Sequence, residues 1–496
     1  MTTGKPPAPE VALGPIAVEP PSAVSLATRG GRGALSVLVF SGFLNVVQLA
    51  SSLVLARQLA PEQYGSFAVG ATIVGFGRFL GDGGAGAAVI QQPGERNVSQ
   101  RDLGRVLLLQ TTIGIAAAAL LIPAAPLIQT AFQTPPETVL VMILLAVAMV
   151  IEVPAVVPKV RMRRAQQYQR LQSLAAVSYL ALYVVQIGGM LLGFGLWALV
   201  AGQIVYSVVY LLVMVTWGGG LVRPVLQGSL ALARRGLPYQ GAFAVQALFS
   251  ICSIAVVGTQ LSTSELGLWT WCTVLATPLI GLAQALHGVT FPAFSRLHEH
   301  HRGKHAEALA MVARLQLLFV SAVVGALCGL TVPIVRYLFD EKWLGAVDAV
   351  RAALLGVLPL ILAALLAAGV ESSGRPQVRL HAMVGSTSMG VLLAFPLTKY
   401  YDTTGAAVSI YFLVPLFDAL LLLRVAHVRV RRACLDALLV GVATFALATV
   451  LAEHVDGLDA LLLVCGVTGA AGLLLMPLVD WRSIRAGWSV VRGVDR

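Results

Sequence analysis

The chain has 496 residues, of which 57% are hydrophobic and only 11% are charged, with a net charge of +11. A soluble domain carries roughly 45–50% apolar and about 25% charged residues, so a soluble enzyme, a disordered chain and a coiled coil are excluded. The apolar residues form long runs and do not alternate, which excludes a membrane β-barrel. The composition therefore indicates an all-α polytopic membrane protein.

The first 33 residues differ from the rest of the chain. Residues 1–33 hold six prolines and several glycines without apolar periodicity, which predicts a disordered tail. They lack the short apolar core and small-residue cleavage site of a signal peptide. We expect this tail, and a second tail at 480–496, to lie in the cytoplasm.

About fourteen apolar runs follow, each near the roughly 20 residues that a membrane-spanning helix needs. They lie at residues 34–56, 65–90, 106–130, 138–158, 174–193, 195–216, 238–260, 266–290, 310–334, 349–370, 379–398, 404–425, 434–452 and 459–479. The second run is the least regular, because it contains two charges and several glycines.

The distribution of positive charge orients these spans. If both termini and every even-numbered loop lie on one side, that side holds 28 of the 34 Lys and Arg residues and the other side holds five. Cytoplasmic loops are enriched in Lys and Arg. We therefore predict a multi-pass protein of the inner (plasma) membrane with both termini in the cytoplasm, and refer to the two sides as cytoplasmic and outer on this basis.

The sequence also suggests an internal duplication. The segments 58–67 and 260–269 share Gln, Leu, Gly and an aromatic residue without a gap, at an offset of 202, and Gly195 precedes span 6 as Gly405 precedes span 12. The duplication predicts two parallel six-helix lobes around a central cavity, an N-lobe (34–216) and a C-lobe (238–425). Spans 13 and 14 (434–479) have no counterpart.

Known catalytic motifs are missing from the sequence. There is no G-x-x-x-x-G-K-[ST], H-E-x-x-H, C-x-x-C or G-x-S-x-G, and the five cysteines are scattered. We therefore expect no ATP hydrolysis, disulfide framework, metal site or cofactor. The predicted outer loops are short, so a membrane glycosyltransferase or ligase is the less favoured alternative to a transporter.

Two early motifs carry a family resemblance. The segment 55–65 reads LARQLAPEQYG and the segment 82–91 reads DGGAGAAVIQ; GFGLWALV at 193–200 and FPAFSRL at 291–297 follow later. Together they resemble the polysaccharide transporter family, the Wzx-type flippases of the multidrug/oligosaccharidyl-lipid/polysaccharide exporter superfamily. The Asp340-Glu341 pair departs from the family pattern, in which Gly is usual.

The resemblance implies a V of two six-helix lobes that moves a polyprenyl-diphosphate-linked oligosaccharide from the cytoplasmic to the outer leaflet by alternating access. It leaves open an exporter of a peptidoglycan lipid precursor or of drugs, which would share the fold. The implied partners are the lipid-linked glycan, membrane lipids, H⁺ or Na⁺, and polysaccharide polymerases or glycosyltransferases; nucleic acid is not among them. An anionic sugar diphosphate needs a polar, cationic path across the bilayer.

Charged and polar residues within the spans are the candidates for this path. Arg78 and Asp82 lie four residues apart on one face of span 2. Charged residues within a membrane usually have a function, so these two either line the cavity or form a pair that neutralises itself. Gln284 and His287 share a face of span 8, and Gln48 lies in span 1. Each of these polar residues either lines the cavity or forms a hydrogen bond with another helix.

Three further charged residues complete the candidates. Arg314, at the start of span 9, lines the cavity or extends its head to the lipid headgroups. Asp418 in span 12 and Glu152 in span 4 are candidates for ion coupling, which requires a titratable or anionic group. Outside the spans, the basic cluster 159–170 is expected to set topology, and Trp343 is expected to anchor the chain at the membrane interface.

Overall fold

The computed structural model describes residues 43–44, 46–81, 84–90, 98–165, 167–273, 276, 281, 294, 305–426, 428 and 430–493. Over these ranges the chain is a succession of helices with short connections and contains no strand. Helices satisfy their own backbone hydrogen bonds, as a chain within hydrocarbon must.

The described residues of the first half form eight helices. They are α1 (46–58), α2 (Pro61–Gly81), α3 (Ala85–Ile90), α4 (Gln100–Ala131), α5 (Glu137–Glu152), α6 (Val156–Arg164), α7 (Tyr168–Leu191) and α8 (Leu196–Trp217). A 3₁₀ turn, Val153–Ala155, joins α5 to α6. The second apolar run is thus two helices, because the chain leaves α2 after Gly81 and turns at Gly84, which has φ +64°.

Nine helices lie in the part of the second half that the structure describes. They are α9 (Ser229–Gly258), α10 (263–273), α11 (His305–Gly329), α12 (Thr331–Ile334), α13 (Val347–Ser372), α14 (Pro376–Ala407), α15 (Val414–Ala426), α16 (Arg431–Ala452) and α17 (Leu458–Gly493). Two π-helices, Val335–Phe339 and Val408–Leu413, precede a 3₁₀ segment (Glu341–Ala346) and α15, respectively.

Nine stretches in the described part of the chain are long and apolar enough to cross a membrane. The stretch Gln377–Ala426 has 50 residues and contains two predicted spans, since Tyr401 and Asp402 leave the helical conformation between them. The nine stretches therefore cover ten of the fourteen predicted runs. The other four, at 34–56, 65–90, 238–260 and 266–290, include residues whose position or side chain lies outside the description.

Burial separates the centre of the protein from its periphery. In the stretch Glu341–Ser372, which contains α13, 78% of the most apolar window is buried, as expected for a helix that is apolar on every face. The corresponding share is 22% for α16 and for 458–476 of α17. These last two helices expose long rows of leucine and valine, which suits a lipid-facing position. The chain is therefore a multi-pass membrane protein.

Helix α16 is attached to α11 by small residues and one ion pair. A Cβ at Gly329 would collide with Ala448, so the two helices pack closely there. Arg314 of α11 donates to Asp436 of α16 over 2.6 Å, and both side chains are mostly buried. Span 13, which the duplication leaves without a counterpart, is thereby joined to the C-lobe.

The Arg314–Asp436 ion pair leads to a first prediction. Arg314→Asp should lower membrane abundance and Tm, because it brings two carboxylates together in a partly buried site. The double change Arg314→Asp with Asp436→Arg should restore both. Reversal of the more exposed Asp348–Arg351 pair, which is 3.4 Å apart, serves as the matched control and should change little. Failure of the double reversal to rescue would show that Arg314 acts elsewhere.

Candidate functional site

The two lobes meet, backbone against backbone, on the predicted outer side. Gly65 in α2 and Gly267 in α10 are the glycines that the duplication pairs at an offset of 202. A Cβ at Gly65 would collide with the Thr263 carbonyl, and one at Gly267 would collide with the Pro61 carbonyl. Only glycine at both positions permits this approach of α2 and α10.

A second contact closes the same side with three donors directed at backbone carbonyls. The Arg57 guanidinium donates to the carbonyls of Tyr337 (3.0 Å) and Leu338 (3.1 Å), which belong to the π-helix. The Lys342 ammonium donates to the carbonyl of Arg57 over 2.8 Å, and Trp343 Nε1 donates to the carbonyl of Ala56 over 2.7 Å. Hydrogen bonds to backbone carbonyls therefore join the end of α1 to the segment before α13, and these carbonyls lie at or near helix ends.

Aromatic packing adds to these contacts. Together, the contacts of Arg57, Gly65, Gly267, Lys342 and Trp343 form what we call the outer joint. Trp343 is fully buried, meets Tyr64 of α2 edge to face at 5.9 Å, and stacks on Trp271 of α10 at 4.8 Å. The expectation that Trp343 anchors the chain at the lipid interface is therefore wrong. Its apolar surface and its N–H are both used between the lobes, which shuts the outer side in this conformation.

A cavity of about 450 Å³ lies next to the outer joint, on its cytoplasmic side. Its walls come mainly from the C-lobe helices α9, α10, α13, α14 and α15 and from the second π-helix, while Thr72 of α2 contributes from the N-lobe. The polar side chains among its lining residues, apart from one ion pair, are those of Thr72, Ser250, Ser253, Trp269, Thr270, Ser386, Thr387 and Tyr411. The volume falls within the roughly 300–1,000 Å³ of small-molecule sites.

An ion pair forms one wall of this cavity. Arg379, in the first turn of α14, donates to Oδ2 of Asp418 in α15. Asp418 is 7% exposed, and its Oδ1 has no hydrogen-bond partner among the described residues. The pair leaves the cavity nearly neutral, because the two charges cancel.

The second π-helix, Val408–Leu413, continues the wall that contains Asp418. Its wider turn sets Ile410 and Tyr411 against the cavity, and π-turns inside helices are frequent at functional sites. A Cβ at Gly356 would collide with the Tyr411 carbonyl, so α13 and the π-helix touch through their backbones. Tyr411 in turn stacks on Trp269 of α10 with ring centroids 6.0 Å apart.

The predicted cavity residues fall into three groups. Gln48 is exposed on α1 and Arg314 pairs with Asp436, so neither is among the residues that line this cavity. Arg78 lies in α2, but its side chain is outside the description, as are Asp82, Gln284 and His287 altogether. The structure supplies Arg314 with a partner on α16 that neither sequence-based interpretation included.

The two predicted ion-coupling carboxylates lie in different environments. Asp418 lies in the cavity wall described above. Glu152 is half-buried at the end of α5, close enough to Tyr206 for an electrostatic interaction. Tyr206 packs between Tyr179 (4.9 Å) and Tyr210 (5.6 Å), so Glu152 adjoins an aromatic cluster of the N-lobe.

The basic cluster on the predicted cytoplasmic side makes specific contacts. Arg161 donates to the carbonyl of Gly219, Arg164 to that of Ile90 and Arg170 to that of Trp217. These carbonyls lie at or just beyond helix ends, where cations are favoured. The arginines therefore hold helix ends, in addition to the topological role that the sequence predicts.

Sequence reasoning gave no site role to Arg379, the first residue of predicted span 11. A signal was present: Arg379 is near the start of span 11 and Asp418 near the end of span 12, and antiparallel neighbours place such positions at similar depth.

Within the described ranges, no group of three His, Cys, Asp or Glu residues is close enough to hold a metal ion.

Comparison with known proteins agrees with this architecture. The profile of the family described as "Polysaccharide biosynthesis protein" matches residues 54–348. The succinoglycan biosynthesis transport protein ExoT of Rhizobium meliloti (strain 1021) is 25% identical over 294 residues, which is 58% of this chain and 58% of that protein.

Two solved structures share the fold. The lipid II flippase MurJ in an inward closed conformation has a TM-score of 0.74 at 13% identity, covering 90% of this chain and 98% of its own. A multidrug resistance MATE family transporter in an inward-facing conformation has a TM-score of 0.62 at 16% identity, covering 81% and 99%. The chain thus shares the fold of these two proteins. With the profile matching more than half of its length, the chain belongs to the polysaccharide biosynthesis protein family.

Proposed function

We propose that this protein is a flippase that moves a polyprenyl-diphosphate-linked oligosaccharide from the cytoplasmic to the outer leaflet. The observation that carries the proposal is a polar cavity, lined by C-lobe helices and by Thr72 of the N-lobe, together with the contact between the lobes at Gly65, Gly267 and Trp343 that shuts the outer side. A sugar diphosphate is too strongly hydrated to cross about 30 Å of hydrocarbon without such a path.

Alternating access requires that the outer joint be strong enough to close and weak enough to open. The joint consists of backbone approach, aromatic packing and hydrogen bonds to carbonyls. Such bonds exchange readily with water when the lobes separate. The lobes then rock apart on the outer side while the lipid tail stays in the bilayer.

The remaining roles follow from the candidate residues. Arg78, six residues beyond Thr72 on α2 and so about 9 Å toward the cytoplasmic side, is proposed to meet the diphosphate, with Asp82, Gln48, Gln284 and His287 as further polar contacts. Asp418 and Glu152 are the proposed carboxylates for H⁺ or Na⁺ coupling. The protein supplies a path and no bond-making chemistry; glycosyltransferases before it and a polymerase after it are the proposed partners.

An accumulation assay in cells tests the proposal. A strain that lacks this protein should accumulate its lipid-linked oligosaccharide on the cytoplasmic side, out of reach of a glycosidase or lectin added to spheroplasts. Restoring the protein should make the glycan accessible. If the lipid-linked oligosaccharide fails to form at all in the deletion strain, the protein acts in synthesis, as the glycosyltransferase alternative states.

Substitution of Arg78 separates two roles for that residue. If it meets the diphosphate, Arg78→Ala should stop transport at near-normal abundance, because removing a membrane charge lowers the insertion cost. Arg78→Lys should keep partial activity, since the charge remains and the bidentate fork is lost. The measurement is glycan exposure normalised to membrane abundance. A transport-competent double variant, Arg78→Ala with Asp82→Ala, would show a self-neutralising pair instead.

A further inference from the structure

Exposed leucines and arginines alternate along the connection between the two lobes. Residues 218–228 join α8 of the N-lobe to α9 of the C-lobe. Three leucines, which are 65% to 79% exposed, and three exposed arginines lie here and in the first turns of α9: Arg223, Leu226, Leu230, Arg234, Arg235 and Leu237. We call these six residues the linker surface. They are not among the residues that line the cavity, so the transport path does not account for them.

The opposite side of this segment is attached to the N-lobe. The Val225 amide donates to the carbonyl of Gly104 in α4 over 3.1 Å. Leu232 is 5% exposed and packs in the apolar cluster that α3, α4 and α6 form. A Cβ at Gly236 would collide with the backbone of Gly84. The segment therefore has one side that packs on the protein and one side that is exposed.

The exposed side of α9 is a mixed stripe of leucine and arginine. Leu230 and Leu237 are seven residues apart and so lie on one line along the helix, with Arg234 next to that line. Leu232 and Gly236, which pack on the N-lobe, lie on a different face. An apolar stripe beside basic residues is typical of helices that lie on a membrane surface.

The length of α9 places this stripe at the edge of the bilayer. Its 30 residues span about 45 Å, whereas the hydrocarbon core is about 30 Å thick. Part of α9 therefore lies outside the core, and its first turns are that part because they carry Arg234 and Arg235. Exposed leucines at this depth leave water when they enter the boundary between headgroups and acyl chains.

The charge of the surrounding chain favours an anionic leaflet. Residues 153–237 contain eight Lys and Arg residues and no Asp or Glu. Asp102, on the same predicted side, is paired with Arg105 at 2.7 Å. An acidic protein would match the arginines of the linker surface but not the leucines between them. An anionic leaflet offers phosphates and acyl chains together.

We propose that the linker surface docks on the inner leaflet, with its leucines at the acyl boundary and its arginines on the phosphates of anionic phospholipids. The connection between the lobes is then held between the N-lobe and the membrane. This docking does not depend on which cargo the protein moves.

Purified full-length protein in nanodiscs provides the test. The discs contain phosphatidylcholine alone, or phosphatidylcholine with one third phosphatidylglycerol. A fluorophore on Leu226→Cys reports membrane contact through quenching by a lipid with a nitroxide at the top of its acyl chain. The label is placed in a Cys434→Ser background, because Cys434 is exposed whereas the other four cysteines are buried or half-buried.

We expect quenching to be about twofold stronger with phosphatidylglycerol than without it, and the increase to disappear at high salt. Changing all three arginines of the linker surface to glutamine should remove the increase, and changing them to lysine should keep it. The matched control changes three exposed arginines of α15 and α16 on the same predicted side to glutamine: Arg424, Arg431 and Arg432. It should keep the increase.

Two sets of results would overturn the proposal. Equal quenching in both membranes, or equal loss in both glutamine variants, would show that the linker surface does not bind anionic phospholipid. Quenching that appears only after the lipid-linked oligosaccharide is added would assign the surface to the diphosphate of the cargo instead. Shielding that increases with the number of protein copies in a disc would assign it to a second copy.

Discussion

Replacing Gly267 with leucine should abolish transport while leaving the protein in the membrane. Any Cβ at this position collides with the Pro61 carbonyl and would lie only 3.1 Å from the backbone nitrogen of Gly65. The α2 and α10 helices would have to move apart, so the outer side could no longer close. We expect glycan exposure to fall to the level of a deletion strain, at near-normal membrane abundance.

The control for this variant is Gly466→Leu in α17, where nothing lies within 4 Å of an added Cβ. It should transport as well as the wild type. A cysteine placed at Thr263, near the joint, reports closure directly: it should react faster with an impermeant thiol reagent when Gly267 is replaced. Normal transport by Gly267→Leu would show that the Gly65–Gly267 contact is not part of the cycle.

The second large effect concerns the ion pair in the cavity wall. Arg379→Leu should strongly lower abundance, because it leaves Asp418 buried without its cation, a loss of about 3–5 kcal/mol for a broken buried pair. Asp418→Leu should do the same by leaving Arg379 unpaired. The double variant Arg379→Leu with Asp418→Leu removes both charges and should restore abundance and Tm, while transport stays lost.

The double variant decides what the pair does. Abundant but inactive protein means that the charges act in transport, through cargo binding or ion coupling. Abundant and active protein would reduce the pair to a structural contact and would remove Asp418 from the coupling candidates. Membrane abundance, Tm of the purified protein and glycan exposure should therefore be measured together on all three variants.

Much of the fold follows from the apolar runs alone. Ten of the fourteen predicted spans fall within apolar helices, because only helices satisfy a backbone in hydrocarbon. The offset of 202 between the halves also pairs Gly65 with Gly267, two residues that meet in the structure. A repeat visible in sequence was thus a guide to a contact between the lobes.

The candidate site was less accessible to sequence reasoning. The sequence does not distinguish Arg379 from the other arginines, since the positive charge pattern does not show which arginine has a partner. Trp343 looked like an interfacial anchor, because composition does not distinguish a tryptophan at the lipid surface from one buried between lobes.

The most direct test of the central claim uses purified protein in liposomes with its lipid-linked oligosaccharide in the inner leaflet. Arrival of the glycan in the outer leaflet is followed by cleavage with an added impermeant glycosidase, and any new glycosidic bond is sought by mass spectrometry. We predict that the protein speeds arrival well above protein-free liposomes, that Gly267→Leu does not, and that the oligosaccharide is chemically unchanged. Arrival no faster than in protein-free liposomes, or a lengthened glycan, would contradict it.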